Sequence, residues 1–413
     1  MATTNTFDNT TPGALIDHET DALSEPQKSL PGAICWAVNG SGSPVVPTEC
    51  MGQRSLQLDA APMDKDTVLF LASSTKLVTA VAVMQCVERG LVNLDEPISN
   101  HLPEFKDYDV IDGWTEIDGG KEEPILRKAE TTVTLRHLLN HTSGISASIF
   151  DPVYRKFNVW KGWPQRNPTS PETMTFPLRF DPGKKWMYGF GIDWVGILVT
   201  RLNKCTLGEY FQKNIFDPLQ MKSTTFRPTR NPEIRERLAS IIPRDEQGNL
   251  QPKPVEIWLK ESEQVAMESG GYGLYSTASD YIRFLQTFLM GAENPLLKKE
   301  TVEEMFKPQL ESAQWMRENA VDPKGIAISG NIMFPDAAVN HGLGFIIKDE
   351  DSSTGCKRGA AEGGGLTNTY WWIDRSSGVA GLVFLNMLPY MDTAAVNLWI
   401  DYQTKVYKAL ATS

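Results

Sequence analysis

The chain is 413 residues long, 41% hydrophobic and 22% charged, with a formal net charge of −11. That length exceeds an ordinary single domain, and the balance supports a full core without covalent staples. The acidity, with no basic run to reverse it locally, argues against nucleic acid as a partner, and no apolar window reaches the roughly 18 residues of a membrane span.

Residues 1–13 are rich in Thr and Asn and are expected to be disordered. The N-terminus shows no charged-then-apolar export pattern. Five cysteines (Cys35, Cys50, Cys86, Cys205 and Cys356) are scattered without CxxC spacing, which reads as reduced thiols in a soluble, cytoplasmic protein. Gly32 to Val38 is strand-like, and the Gly/Ser-rich turn after it leads to a second run reaching toward Cys50, a hairpin signal.

The next stretch, Leu71-Ala72-Ser73-Ser74-Thr75-Lys76-Leu77, sets a hydroxyl and an amine three residues apart at the head of an apolar run. On a helix that spacing puts both on one face. A serine needs a base within hydrogen-bond reach to act as a nucleophile, and a lysine serves only if burial frees it of its proton. The following run, Leu77 to Met84, is apolar on nearly every face, so a dry helix is expected there. The same spacing also occurs on solvated helix surfaces, where it does nothing. Arg89-Gly90 closes the helix.

From about residue 99 to 270 the pattern is helical pieces broken by Pro and Gly, with a Trp-rich loop around Trp160 and Trp163. His137 and His141 have the i, i+4 spacing of a zinc pair, but Leu138 stands where a metalloprotease helix carries its glutamate, so no metal is expected. No G-x-S-x-G elbow occurs. Tyr188 lies in an aromatic run after Pro182-Gly183; it is either core or a phenol that relays a proton at the nucleophile. Gly342 to Ile347 is a short apolar strand, and Tyr370–Asp374 with Val379–Leu385 forms a hairpin. Between them, Gly363-Gly364-Gly365 is either a flexible loop or backbone that must approach a substrate closely. Residues from Thr393 to about Leu410 place Val396, Trp399, Gln403, Val406 and Leu410 at helical spacing. Strands at both ends with helices between suggest a sheet closed by the two termini.

Taken together, Leu71 to Lys76, Gly90 to Asp95, Leu135 to Gly144, Asp181-Pro182-Gly183 leading to Tyr188, Gly270 to Thr277 and Gly363 to Leu366 resemble the serine β-lactamase and penicillin-binding-protein superfamily. Within it the chain is most similar to fungal polyketide-pathway acyltransferases of the lovastatin transesterase type. The resemblance implies an α+β fold of the β-lactamase/transpeptidase kind, with an antiparallel sheet flanked by helices and an inserted, mostly helical lobe. One α/β lobe would comprise residues 14–98 and 275–413, and the helical lobe residues 99–274. It implies Ser73 as the acylated nucleophile, Lys76 as its base, Tyr188 as a second proton relay, and the backbone amides of Ser73 and Leu366 as the oxyanion hole. The two histidines fall into a structural motif of the family.

Departures narrow the expectation. Ala361 and Glu362 precede the glycines where cell-wall enzymes carry a basic residue, and an acid there would repel a substrate carboxylate. Phe190 replaces the usual third polar residue of the tyrosine motif. Ala147 stands where the lovastatin enzyme has a tyrosine near its pocket. The expected reaction moves an acyl group from a thioester, bound to coenzyme A or to a polyketide synthase carrier domain, through Ser73 to an alcohol acceptor, with no cofactor. An esterase or thioesterase with the same machinery is the alternative. Gly364, Gly365, Ala147, Trp160, Trp163 and Tyr390 are the expected substrate-binding positions.

Overall fold

The computed structural model describes residues 29–117, 119–163, 170–264, 267–318 and 338–412; the disorder expected over residues 1–13 lies outside them. Its centre is a seven-stranded sheet in which Glu49–Gly52, Gly32–Asn39, Val379–Leu385, Thr369–Asp374, Ala361–Gly365, Ile346–Lys348 and Val339–His341 lie side by side. All neighbours run antiparallel. Both expected hairpins are therefore present, and the N-terminal one joins the C-terminal one through the register Trp36↔Leu382. The apolar stretch Gly342 to Ile347 divides instead: Gly342 to Phe345 form a turn, and only its end enters a strand.

Successive side chains of a strand point to opposite faces, and here both faces are covered. Ile34, Trp371, Ile373, Leu382 and Phe384 meet the core around the serine-bearing helix. Cys35, Tyr370, Trp372, Val383 and Leu385 meet the C-terminal helix Thr393–Thr412 through Leu398, Trp399, Tyr402 and Val406. That helix buries the face its spacing predicted, with Val396 and Leu410 at its margin.

The helix Thr75–Glu88 is buried on nearly all sides: Leu77, Val78, Ala80, Val81, Ala82 and Val83 have no exposure. Each larger apolar side chain so placed contributes about 1.5–3 kcal/mol. The helix packs against Gly191–Asn203 and ends at Arg89 and Gly90, the latter at φ +67°. The stretch expected to be mostly helical also holds an antiparallel hairpin, Asp109–Ile117 with Lys121–Lys128. Its turn glycines, Gly119 and Gly120 at φ +80° and +72°, were the available signal. Its outer half is exposed and charged, so it lacks the apolar alternation that marks a strand buried on one face. No helix among the described residues is long and apolar enough to cross a membrane.

Candidate active site

Ser73 is placed by a sharp change of direction. The strand Val68–Phe70 pairs antiparallel with Tyr275–Thr277 and delivers the chain to Leu71, whose N–H donates to the Leu274 carbonyl. Ala72 then turns at φ +45°, a left-handed conformation that strains a residue bearing a Cβ by about 1–2 kcal/mol. A short 3-10 turn, Ala72–Ser74, leads into the α-helix at Thr75. Ser74 is buried, whereas Ser73 stays partly accessible.

The strand Ala361–Gly365 closes over this corner. A Cβ on Gly365 would lie 2.2 Å from the Leu71 carbonyl oxygen and 2.4 Å from Thr369 Oγ1. Gly365 is therefore a close-packing position against the backbone before the nucleophile, and it does not line the cavities described below, contrary to its expected substrate contact. Gly365→Ala is expected to destabilise the protein by about 1–3 kcal/mol through overpacking, read as a lowered Tm.

Lys76 lies one turn beyond Ser73 and is 8% exposed. Its Nζ donates to Ser73 Oγ at 3.2 Å and to the Gly271 carbonyl at 2.7 Å. From the inserted segment, Tyr188 Oη donates to Ser73 Oγ at 2.7 Å, and the Lys76 Nζ sits 4.8 Å from the Tyr188 ring centre. The loop that carries Tyr188 begins at Asp181, which is held by Arg127 and by the Glu130 N–H. An amine and a phenol thus converge on one hydroxyl. Such an arrangement can take a proton from the serine as it attacks and return it to a departing group, the requirement for covalent acyl chemistry.

Two cavities meet at this point, of about 720 and 540 Å³ with their mouths included. Both are bordered by Ser73, Lys76, Phe150, Tyr188 and Leu366. The first runs between Gly364, Trp186, Trp371 and Tyr390; the second runs past Phe70, Ala147, Phe190 and Trp258. Gly364, Ala147, Tyr390 and Leu366 are therefore at the site. Trp160 and Trp163 are not: they lie at the end of the helix Pro152–Lys161, 42% and 38% exposed, against Phe157. The short helix turns their rings onto its own base, and sequence proximity to a Trp-rich loop carried no information on that direction. Trp160→Ala and Trp163→Ala are expected to leave acyl-transfer rates within about twofold of wild type in a steady-state ester assay.

Three groups at the site were not foreseen. The helix Leu135–Leu139 ends before His141, which takes φ +59° and turns into the first cavity, its ring 4.8 Å from that of Tyr188. His137 stays behind, completing the capping box with Thr134. The i, i+4 spacing does not put the two histidines on one helix face, because the helix ends at Leu139. His341, 5.3 Å from His141, comes from the sheet edge. Asp193, in the first turn of Gly191–Asn203, borders the second cavity close to Lys76.

Glu362 also needs correction. It is fully buried, 3.1 Å from Lys348 Nζ, and accepts from Gln403 Nε2 at 3.0 Å. Burial pushes its carboxyl up and Lys348 opposes this. A lysine behind the strand thus offsets the acid, and its charge alone does not exclude an anionic substrate.

The histidines make the site acid-sensitive. Burial pushes His341 down from its ordinary 6.5 to about 4, and pushes His141 well below its ordinary range, with His341 and Lys76 adding to the effect. The unfolded chain takes up these protons near pH 6.5, the folded one only far lower. Stability is therefore full above about pH 6.5 and falls as pH drops toward 4, by on the order of 3 kcal/mol for His341 alone. Tm is expected to decline across that window, and His341→Gln to flatten the decline.

A partly accessible serine at a strand-to-helix corner, a lysine one turn on and a tyrosine from the inserted segment, beneath an antiparallel sheet, define a serine enzyme of the β-lactamase fold. The Beta-lactamase family model matches residues 21–403, and the chain belongs to that family. Among its relatives, Acyltransferase calJ of Penicillium decumbens is 32% identical, covering 89% of this chain and 92% of its own. Lovastatin esterase of Penicillium rubens is 35% identical over 91% of this chain and 94% of its own. A mutant simvastatin synthase from Aspergillus terreus superposes with a TM-score of 0.82 at 31% identity, covering 96% of each chain. The protein is an enzyme of this acyltransferase and esterase type.

Proposed function

We propose that the protein is a serine transesterase that moves an acyl group from a thioester to the hydroxyl of a secondary metabolite. The observation that carries this is the convergence of Lys76 Nζ and Tyr188 Oη on Ser73 Oγ, at 3.2 and 2.7 Å, where two largely apolar cavities meet.

In the first half-reaction Ser73 Oγ attacks the thioester carbonyl. Its proton passes through the Lys76 and Tyr188 pair to the departing thiol, leaving an acyl ester on Ser73. In the second, the acceptor hydroxyl attacks that ester, gives its proton to the same pair, and the proton returns to Ser73 Oγ. Each step passes through a tetrahedral oxyanion, and the backbone amides of Ser73 and Leu366 are the proposed donors to it, each worth about 3–4 kcal/mol. Two cavities suit a reaction with two organic substrates, and their apolar walls would keep water from the ester until an alcohol is bound. Coenzyme A or a carrier domain would present the donor. Five cysteines scattered without CxxC spacing support a reducing compartment, and we place the enzyme in the cytoplasm.

Hydrolysis is the second reading, favoured by the esterase among the relatives. The test is to load the enzyme from a panel of acyl thioesters, detect the adduct by intact mass, and add candidate alcohols. Faster loss of the adduct with appearance of a new ester is expected. Deacylation that is indifferent to alcohol and yields only the free acid would overturn transfer in favour of hydrolysis.

A further inference from the structure

We propose that Asp193 is a positioning residue that holds the Lys76 amine on Ser73, acting through Ser269 and the Gly271–Tyr272 peptide. The inference rests on the reading above, in which Lys76 handles the serine proton.

The connection is continuous. Asp193 Oδ1 accepts from Ser269 Oγ and, at 3.2 Å, from the Gly271 N–H. Ser269 Oγ in turn accepts from the Tyr272 N–H at 3.1 Å. That N–H and the Gly271 carbonyl are the two ends of one peptide group. The carbonyl end points the other way and accepts from Lys76 Nζ at 2.7 Å. Thr79 Oγ1, on the lysine's own helix, donates to the preceding carbonyl of Gly270 at 2.7 Å, so the segment is pinned on both sides. Gly271 has no room for a side chain, since a Cβ there would lie 2.2 Å from Asp193 Oδ2.

Each link aligns the next dipole, and hydrogen-bonded chains in a dry interior polarise one another. With Asp193 2% and Ser269 6% exposed, water does not compete for these positions. The network also answers the departure at Phe190: where the family's tyrosine motif carries a polar side chain, this chain has an apolar one, and Asp193 supplies polarity to the lysine from one helical turn further on. An acid in the first turn also suits the helix N-terminus, but that role alone does not call for Ser269 or for contact with the lysine's carbonyl partner.

Among the described residues, the titratable groups around Lys76 are Tyr188 from the loop, His141 from the turn after Leu135–Leu139, His341 and Tyr390 in the first cavity, Glu362 across that cavity in its pair with Lys348, Tyr272 in the second cavity, and Asp193. Asp193 is the carboxylate without a lysine or arginine of its own among these; burial pushes its carboxyl up, and Lys76, Ser269 and the Gly271 N–H oppose this. Asp193→Asn removes the carboxylate beside the amine, whereas Ser269→Ala leaves it in place.

The test measures the acylation rate constant with a p-nitrophenyl ester, as a function of pH, in Asp193→Asn and Ser269→Ala, with Tm measured in parallel. Both are expected to slow acylation at its pH plateau about tenfold or more with KM within about twofold. Asp193→Asn is expected to move the acid limb to lower pH by about one unit, and Ser269→Ala to leave it in place. Wild-type acylation in the folded variants, or a loss that tracks Tm with the acid limb of Asp193→Asn unmoved, overturns the proposal. Ser269→Ala, a one-atom deletion, keeps the question answerable if Asp193→Asn does not fold. Ser73→Ala is run alongside. An adduct surviving there overturns the acyl-serine reading, and this inference with it; no adduct there together with wild-type rates in both variants overturns the positioning role alone.

Discussion

Ser73→Ala is expected to leave no acyl adduct on the protein and to lower turnover by at least about 10⁴-fold, since deletion of a nucleophile that acts with its base as one unit removes nearly all their joint contribution. The substitution takes one atom from a partly accessible position and leaves the walls of both cavities unchanged. Substrate binding should persist, so the loss should fall on kcat. Intact-mass analysis after incubation with a thioester decides the matter. An adduct of unchanged stoichiometry in the variant would mean that another group carries the acyl chain.

Tyr188→Phe is expected to lower turnover about 10² to 10⁴-fold, the range of a lost general acid or base. The ring remains, and with it the contacts at 4.8 Å to His141 and 6.1 Å to Phe150 that shape the cavity, so KM should change little. What disappears is the 2.7 Å contact to Ser73 Oγ. Comparing a p-nitrophenyl ester with an alkyl ester of the same acid divides the labour between the two groups. A nitrophenolate leaves without help, an alkoxide does not. A fall much larger on the alkyl ester marks Tyr188 as the donor to the leaving group, and an equal fall marks it as the acceptor of the serine proton. Retention of more than half the wild-type rate on both would remove Tyr188 from the chemistry.

Part of the site is written locally. Ser73 and Lys76 share a face because three residues make about one turn across the 3-10 turn Ala72–Ser74 and the start of the α-helix, and a run such as Leu77 to Met84 marks that helix as dry. The strands Gly32–Asn39 and Thr369–Asp374 were legible as short apolar runs bounded by turn residues and the long C-terminal helix by its 3.6 period, both properties of a few neighbouring residues. The likeness to a known family extended this to Tyr188, whose 115-residue separation from Ser73 no spacing rule spans.

Other features are settled only where distant segments meet. Trp160 and Trp163 face their own helix while Trp186 and Trp371 face the serine, and all four look alike as letters. His141 leaves the helix it shares a spacing with because the chain ends that helix at Leu139. Glu362 is paired with Lys348 across neighbouring strands, and Asp193 joins Lys76 through the fold-back of Ser269 to Tyr272. The residues themselves thus set which groups can react and which helix carries them, because bond lengths and helical pitch act over a few residues. Which walls surround those groups, and which charges stand beside them, was decided by packing between segments far apart in the chain, where burial and desolvation are properties of the assembled core alone.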